Sequence, residues 1–205
     1  MNLSELYQKM DHNRWKEDQQ KGMRSYSILI PLIEKDDGIH LLFEVRSYTL
    51  RRQPGEICFP GGKIEPQDSD PKSCAIRETS EELGIATSVI SNVKPLQAFE
   101  QPLSQCTIYP FVGTIARDTK FRPNPAEVAE LFTVPLNFFL EQEPECYEIH
   151  FRIEPEADFP YHLIPGGKNY PWQIRSKKEC FYIYEDYTIW GLTAHILQQF
   201  LRIIR

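Results

Sequence analysis

No stretch of this sequence reaches 18 uninterrupted apolar residues, and its opening, MNLSELYQKMDHNRWKEDQQKG, contains no apolar core of the kind a secretion leader needs. Neither a membrane span nor an export signal is expected, and the reading this leaves is a cytoplasmic protein. A basic excess is missing as well. With 23 Lys+Arg against 29 Asp+Glu the formal net charge is −6, which argues against a general nucleic-acid or anionic-membrane surface but leaves room for a local basic pocket. The cysteines Cys58, Cys74, Cys106, Cys146 and Cys180 are odd in number, widely spread and without a CxxC pair. Neither zinc nor a disulfide framework is expected, and all of them read as reduced structural thiols. Repeats, low-complexity tracts and Walker-type loops are absent too. What remains is 205 residues, 41% hydrophobic and 25% charged, enough for one sizeable core and read as one domain over 1–205.

The chemistry concentrates between Gly61 and Ile85, GGKIEPQDSDPKSCAIRETSEELGI. Asp70 is a good N-cap, Pro71 suits the first helical position, and Gly84 stands where a left-handed C-terminal residue belongs, so the segment predicts a helix over Pro71 to Leu83. Helical periodicity puts Glu78, Glu81 and Glu82 on one face and Ala75, Ile76, Thr79 and Leu83 on the buried one. Carboxylates three and four residues apart repel by roughly 0.2–0.5 kcal/mol per pair, and only Arg77, four residues before Glu81, offers local relief. Such a face suits a hard divalent cation such as Mg²⁺, which takes oxygen ligands and is shared with substrate phosphates. The alternative is a solvated acidic face with no ligand.

The residues ahead of this helix favour the first reading. The stretch resembles the Nudix box, G-x5-E-x7-R-E-U-x-E-E-x-G-U with U aliphatic. Arg77, Glu78, Glu81, Glu82, Gly84 and Ile85 match its second half. The first half departs from it: Asp68 stands where glutamate is usual, one extra residue precedes Arg77, and Thr79 replaces an aliphatic residue. The coenzyme A pyrophosphatase branch of the family also carries an acidic-rich box with one extra residue. Its additional signature, L-L-T-x-R-S-x3-R-x3-G-x3-F-P-G-G, lies on Leu42 to Gly62, with Arg46, Ser47, Arg51, Gly55, Phe59, Pro60, Gly61 and Gly62 in place. Phe43 and Glu44 do not match, and Glu44 replaces a threonine, which puts any contact made by that hydroxyl in question.

The resemblance implies an α/β class protein with the Nudix fold, an α/β/α sandwich with a mixed sheet between helices; periodicity alone gives only α/β or α+β. It implies hydrolysis of a phosphoanhydride in a small nucleoside-diphosphate-linked substrate, coenzyme A or an acyl derivative, with Mg²⁺ or Mn²⁺ held by Glu78 and Glu82. Glu81, which stands with them as a metal candidate, or a downstream glutamate, would position or deprotonate the water. Glu127, Glu130 and Glu100 are the downstream candidates. Arg77 would orient the glutamates, and Gly61 and Gly62 would let backbone approach metal or phosphate. Arg46, Arg51 and Arg52 cluster beside Gly55 and can bind phosphates. The rival readings are a Nudix pyrophosphatase acting on ADP-ribose or dinucleotides, and a non-catalytic Nudix-fold binding module. Nucleic acid and membrane are not expected as partners.

Elsewhere, Leu3, Leu6, Tyr7 and Met10 recur at helical spacing and predict a surface helix, followed by a polar run from Asp11 to Gly22. Tyr26 to Ile33 and Ile39 to Val45 read as a hairpin, Val93 to Gln101 and Thr107 to Ala116 as strands joined by a loop with Pro102 and Cys106, and Leu136 to Leu140 as the start of a short helix. Tyr147 to Ile153 and Cys180 to Tyr184 alternate as strands. Between them Pro165-Gly166-Gly167-Lys168 repeats Pro60-Gly61-Gly62-Lys63; with no glutamate cluster after it, the second copy reads as punctuation. The last helix, Ile189 to Ile204, carries Trp190, Ile196, Leu197, Phe200, Leu201 and Ile204 on an apolar stripe, read as core packing with a homodimer interface as the alternative.

Overall fold

The computed structural model describes residues 1–11, 24–101, 105–173 and 175–205. The polar run over 12–22 and the loop residue Pro102 lie outside the described residues. The fold is organised by a hairpin that opens into a fork. Strands β1 (Arg24–Lys35) and β2 (Gly38–Arg46) pair from Leu32↔Leu41 to Lys35↔Gly38. Further from the turn they part: β3 (Ile57–Cys58) takes the place beside β2 through Glu44↔Cys58, and β4 (Gly61–Lys63) the place beside β1 through Ile28↔Gly61 and Ser27↔Gly62. Phe59 and Pro60 bridge the fork, and the Leu29 N–H donates to the Pro60 carbonyl at 2.9 Å.

Beyond β1, strand β7 (Cys106–Ile115) runs parallel to it from Arg24↔Cys106 to Leu32↔Thr114. The other pairings of this sheet are antiparallel: β5 (Ile90–Pro95) and β6 (Phe99–Gln101) on β7, and β8 (Val128–Pro135) on β2. The sheet is therefore mixed, as expected. The single strand read over Val93–Gln101 is two, since Pro95 brings no N–H to the ladder and ends β5.

Alternation along β1 and β2 feeds two cores. Leu29, Ile33 and Leu42 face α2 (Pro71–Leu83), whose Ala75 and Leu83 are fully buried; Ile30, Leu32, Leu41, Phe43 and Val45 face α1 (Leu3–Asp11) and α4 (Gly191–Ile204). Helices thus cover both faces, giving the α/β/α arrangement. Helix α1 is more than a surface appendage: Leu6 and Met10 are buried against the α4 core, and the Tyr7 hydroxyl meets Thr114 Oγ1 at 2.8 Å. Helix α3 (Leu136–Glu141) follows β8 directly and packs Leu136 and Phe139 into the same core.

A second, antiparallel sheet joins β9 (Glu145–Phe151), β10 (Arg175–Tyr184) and β11 (Tyr187–Ile189). It corrects two expectations. Cys146 and Cys180 form a disulfide, because the β9–β10 register sets them directly opposite each other with Cα atoms 4.1 Å apart. A separation of 34 residues hides that pairing in the sequence; Cys58, Cys74 and Cys106 remain free. The last helix begins at Gly191, since Ile189 ends β11 and Trp190 is its extended N-cap residue. Trp190 is accordingly exposed and stacks on Phe181, while Ile196, Leu197, Phe200, Leu201 and Ile204 are buried, so the stripe is core. Among the described residues no helix is long and apolar enough to cross a membrane.

Helix α2 is capped as its sequence predicts. The Ser73 N–H donates to Asp70 Oδ1 at 2.6 Å, the Asp70 N–H donates to Ser73 Oγ at 3.1 Å, and Gly84 closes the helix at φ 60°. Replacing Asp70 by alanine is expected to cost about 1 kcal/mol. Urea unfolding should show a lower midpoint at unchanged slope; an unmoved midpoint would mean that the cap carries no stability.

Candidate active site

Helix α2 brings its carboxylates to the open side of the fork. Gly62 on β4 lies so close to the helix that a Cβ there would sit 2.3 Å from the Glu78 carboxyl carbon. At Gly61 it would sit 2.3 Å from the Ser27 carbonyl oxygen. Two hydrogen bonds, Arg122 N–H to the Leu83 carbonyl and Asn124 N–H to the Glu82 carbonyl, both 3.0 Å, fasten the following loop to the end of α2. Glu127 emerges from that loop, and its charge acts on Glu44, Glu78 and Glu82 together.

Arg77 is pinned rather than free. Its Nε and Nη2 donate to the two oxygens of Asp68, each at 2.9 Å, and Nη1 lies 2.9 Å from Glu78 and 3.2 Å from Glu81. The fork-to-carboxylate geometry makes the Asp68 bond the strong one. It holds the Asp68 carboxyl down at about 2 and moves the guanidinium further up. Asp68, the residue that breaks the box pattern, thus fixes the arginine that touches two of the helix glutamates.

Glu82 is the buried member of the helix face. It is 7% exposed, accepts the Gly61 N–H at 2.8 Å, and burial together with the charge of Glu44 pushes its carboxyl up to about 9. Glu44, only 1% exposed, reaches the same place from β2. Burial raises it to about 7 despite the Cys58 thiol, which donates to Oε1 at 3.1 Å, and the nearby Arg46 cation; Oε2 has no partner. Glu78 is also raised, by burial first, with Arg77 opposing. Glu81 remains exposed. The acid face is therefore graded from solvent-facing Glu81 to buried Glu82, not uniformly solvated.

The other sequence candidates fall in different places. Arg46 sits where the β2–β8 register shifts, half-buried, with an Nε that has no hydrogen-bond partner. Arg51 and Arg52 are exposed in the loop that follows, and Gly55 lies under the ring of Tyr48. Glu130 pairs with Val45 on the α4 side of the sheet and accepts a hydrogen bond from the Tyr187 hydroxyl. Glu100 is exposed on β6 opposite Thr107, with β7 and β1 lying between it and Gly61. Glu44 is the residue that sequence reasoning missed; the available signal was a glutamate inside the apolar strand IHLLFEV.

Among the described residues no three His, Cys, Asp or Glu side chains form a ready-made metal-holding group; Glu44, Glu78, Glu81 and Glu82 are carboxylates that act on one another by charge on this side of the fork. Their chemistry fits a hard divalent cation: all are oxygen donors, Glu44 Oε2 is buried without a donor, and the carboxylates raise one another's affinity for protons.

Residues 23–153 match the family model described as the NUDIX domain. The peroxisomal coenzyme A diphosphatase NUDT7 of Mus musculus is 37% identical over 68% of this chain and 58% of its own length. Nudix hydrolase 15, mitochondrial, of Arabidopsis thaliana is 34% identical over 83% of this chain and 55% of its own. The uncharacterized Nudix hydrolase NudL of Photorhabdus laumondii is 31% identical, covering 86% of this chain and 82% of that protein. The chain spans a little over half the length of the first two of these relatives.

The two Pro-Gly-Gly-Lys copies provide a test. A Cβ added at Gly167, where φ is 55°, would meet nothing nearer than the Tyr161 carbonyl oxygen at 3.7 Å, whereas at Gly62 it would meet the movable Glu78 carboxylate. Gly62→Ala should lower turnover by at least about tenfold at near-normal stability, by displacing Glu78. Gly167→Ala should cost about 1 kcal/mol of stability from its left-handed backbone and leave turnover intact. Equal activity losses at equal stability would remove the distinction.

Proposed function

Because the chain belongs to the Nudix family, we propose that it is a hydrolase that cleaves the diphosphate bond of coenzyme A or acyl-coenzyme A, giving 3′,5′-ADP and a 4′-phosphopantetheine species. The observation that carries this reading is the placement of the Arg46 to Gly62 segment, which runs from Arg46 beside Glu44 and Cys58 to Gly62 against Glu78. Arg46 acts by charge on Glu44 at the edge of the carboxylates, where a diphosphate would lie, and Arg51 and Arg52 stand exposed in the adjoining loop. The likeness to a protein named as a coenzyme A diphosphatase supports the same substrate.

Nudix hydrolases generally use divalent metals. Held by Glu78 and Glu82, Mg²⁺ or Mn²⁺ would neutralise phosphate oxygens and lower the pKa of the attacking water. Arg77, anchored by Asp68, holds Glu78 and Glu81 in orientation. Glu81, exposed at the mouth of the site, or Glu127 across from it, positions the water and accepts its proton. Gly62 keeps a side chain out of the space beside Glu78, and Gly61 lets β4 lie close against β1. Residues 1–205 act as one domain in this reading, since α1 and α4 share a core with β1 and β2. A cytoplasmic setting belongs to it as well. An ADP-ribose or dinucleotide pyrophosphatase would share the glutamates but has no need of the Arg46 to Gly62 segment.

The arginines make the substrate reading testable. Coenzyme A differs from 3′-dephospho-coenzyme A by one phosphate, which Arg46 or Arg51 can bind. Wild-type protein should prefer coenzyme A, and Arg46→Ala or Arg51→Ala should shrink that preference by about 1.5–3 kcal/mol, the worth of a charged hydrogen bond. The measurement is the ratio of kcat/KM for the two substrates, with ADP-ribose and NADH as further comparisons. No turnover of coenzyme A beside rapid turnover of ADP-ribose would overturn the substrate. An unchanged ratio in both variants would move 3′-phosphate recognition elsewhere.

A further inference from the structure

Glu44 is where the chain leaves the signature it otherwise follows, and the fork gives that extra carboxylate a definite place. The side chain is 1% exposed, and its Oε1 takes the Cys58 S–H at 3.1 Å. Its Oε2 is buried with no hydrogen-bond partner, and Arg46, although close enough to act on it by charge, brings no donor to that oxygen. From the helix side, Glu82 is fixed by the Gly61 N–H at 2.8 Å. Cys58 and Gly61 are the two ends of the Phe59–Pro60 bridge, so one short segment holds a carboxylate from β2 and a carboxylate from α2 toward the same interior.

A buried carboxylate oxygen with no donor costs stability, and a second carboxylate beside it adds to that cost. A divalent cation reverses both terms, since hard ions take carboxylate oxygens and bind more tightly as the charge of the ligand set rises. We propose that Glu44 supplies an additional oxygen ligand to the divalent-cation site, beyond the glutamates of helix α2. Threonine at this position would offer one neutral hydroxyl in place of a charged oxygen pair, so the substitution of glutamate strengthens the site's hold on the ion. This rests on the reading of Glu78 and Glu82 as metal ligands.

The test is a Mn²⁺ titration of metal-stripped protein, following the paramagnetic resonance signal of the free ion, on wild type, Glu44→Gln, Glu44→Thr, Glu78→Gln and Glu82→Gln. Circular dichroism checks that each variant is folded. Both Glu44 variants should bind Mn²⁺ at least about tenfold more weakly than wild type. Mn²⁺ affinity within about twofold of wild type in the Glu44 variants, with clear weakening in Glu78→Gln and Glu82→Gln, would overturn the role of Glu44 and leave the helix ligands standing. Unchanged affinity in all of them would overturn both. If neither Glu44 variant folds even in excess Mn²⁺, Glu44 is structural and the proposal fails.

Discussion

The constraint on which the rest of the structure depends is that carboxylates are kept close together and partly out of water. Glu44 and Glu82 are buried near each other, Glu78 lies half-buried beside them, and Glu127 adds its charge to all. Nothing in protein folding favours this by itself, since desolvation and like charge both work against ionised groups. The surrounding architecture holds it in place. The β1–β2 fork leaves a gap, the Phe59–Pro60 bridge supplies a thiol and a backbone N–H into it, and Gly62 removes the Cβ that would push Glu78 aside. Asp68 then fixes Arg77, so the neighbouring cation cannot wander away from Glu78 and Glu81.

Much of this is legible in the residues, because local rules govern it. Asp70, Pro71 and Gly84 set the ends of α2, and the helical period puts Glu78, Glu81 and Glu82 on one side. The Asp-Asp turn and flanking β-branched residues mark the hairpin. What escapes local rules depends on register. Glu44 reaches Glu82 only because β2 pairs with β3 and β3 leads into β4. Glu127 and Glu130 are alike in sequence, yet the hydrogen bonds of the 122–124 loop to α2 bring one toward the glutamates, while pairing with Val45 turns the other to the opposite face. The disulfide is the same kind of case, since Cys146 and Cys180 meet only through the β9–β10 alignment. Trp190 fits a helical stripe by spacing, but Gly191 at φ 64° starts the helix after it.

Site chemistry and fold stability therefore pull in different directions at α2. Ala75, Thr79 and Leu83 tie the helix to the sheet, while the opposite face spends stability on holding acids together. A purely structural acidic face would lose stability when an acid is removed from its hydrogen bond with Gly61. A face arranged for a cation gains, or at least does not lose.

That contrast is read most directly by thermal unfolding of wild type and Glu82→Gln in chelator between pH 6 and 9, beside coenzyme A turnover in Mg²⁺. The folded Glu82 carboxyl keeps its proton to about 9, against an ordinary value of 4.5. Between those values the folded state binds more protons than the unfolded one, so wild-type stability falls as pH rises and the slope vanishes once the folded group ionises. The account predicts a midpoint that falls with pH in wild type, a flatter and equal or higher midpoint in Glu82→Gln, and no turnover by the variant. A variant that is less stable across the range, or one that turns over normally, would contradict it.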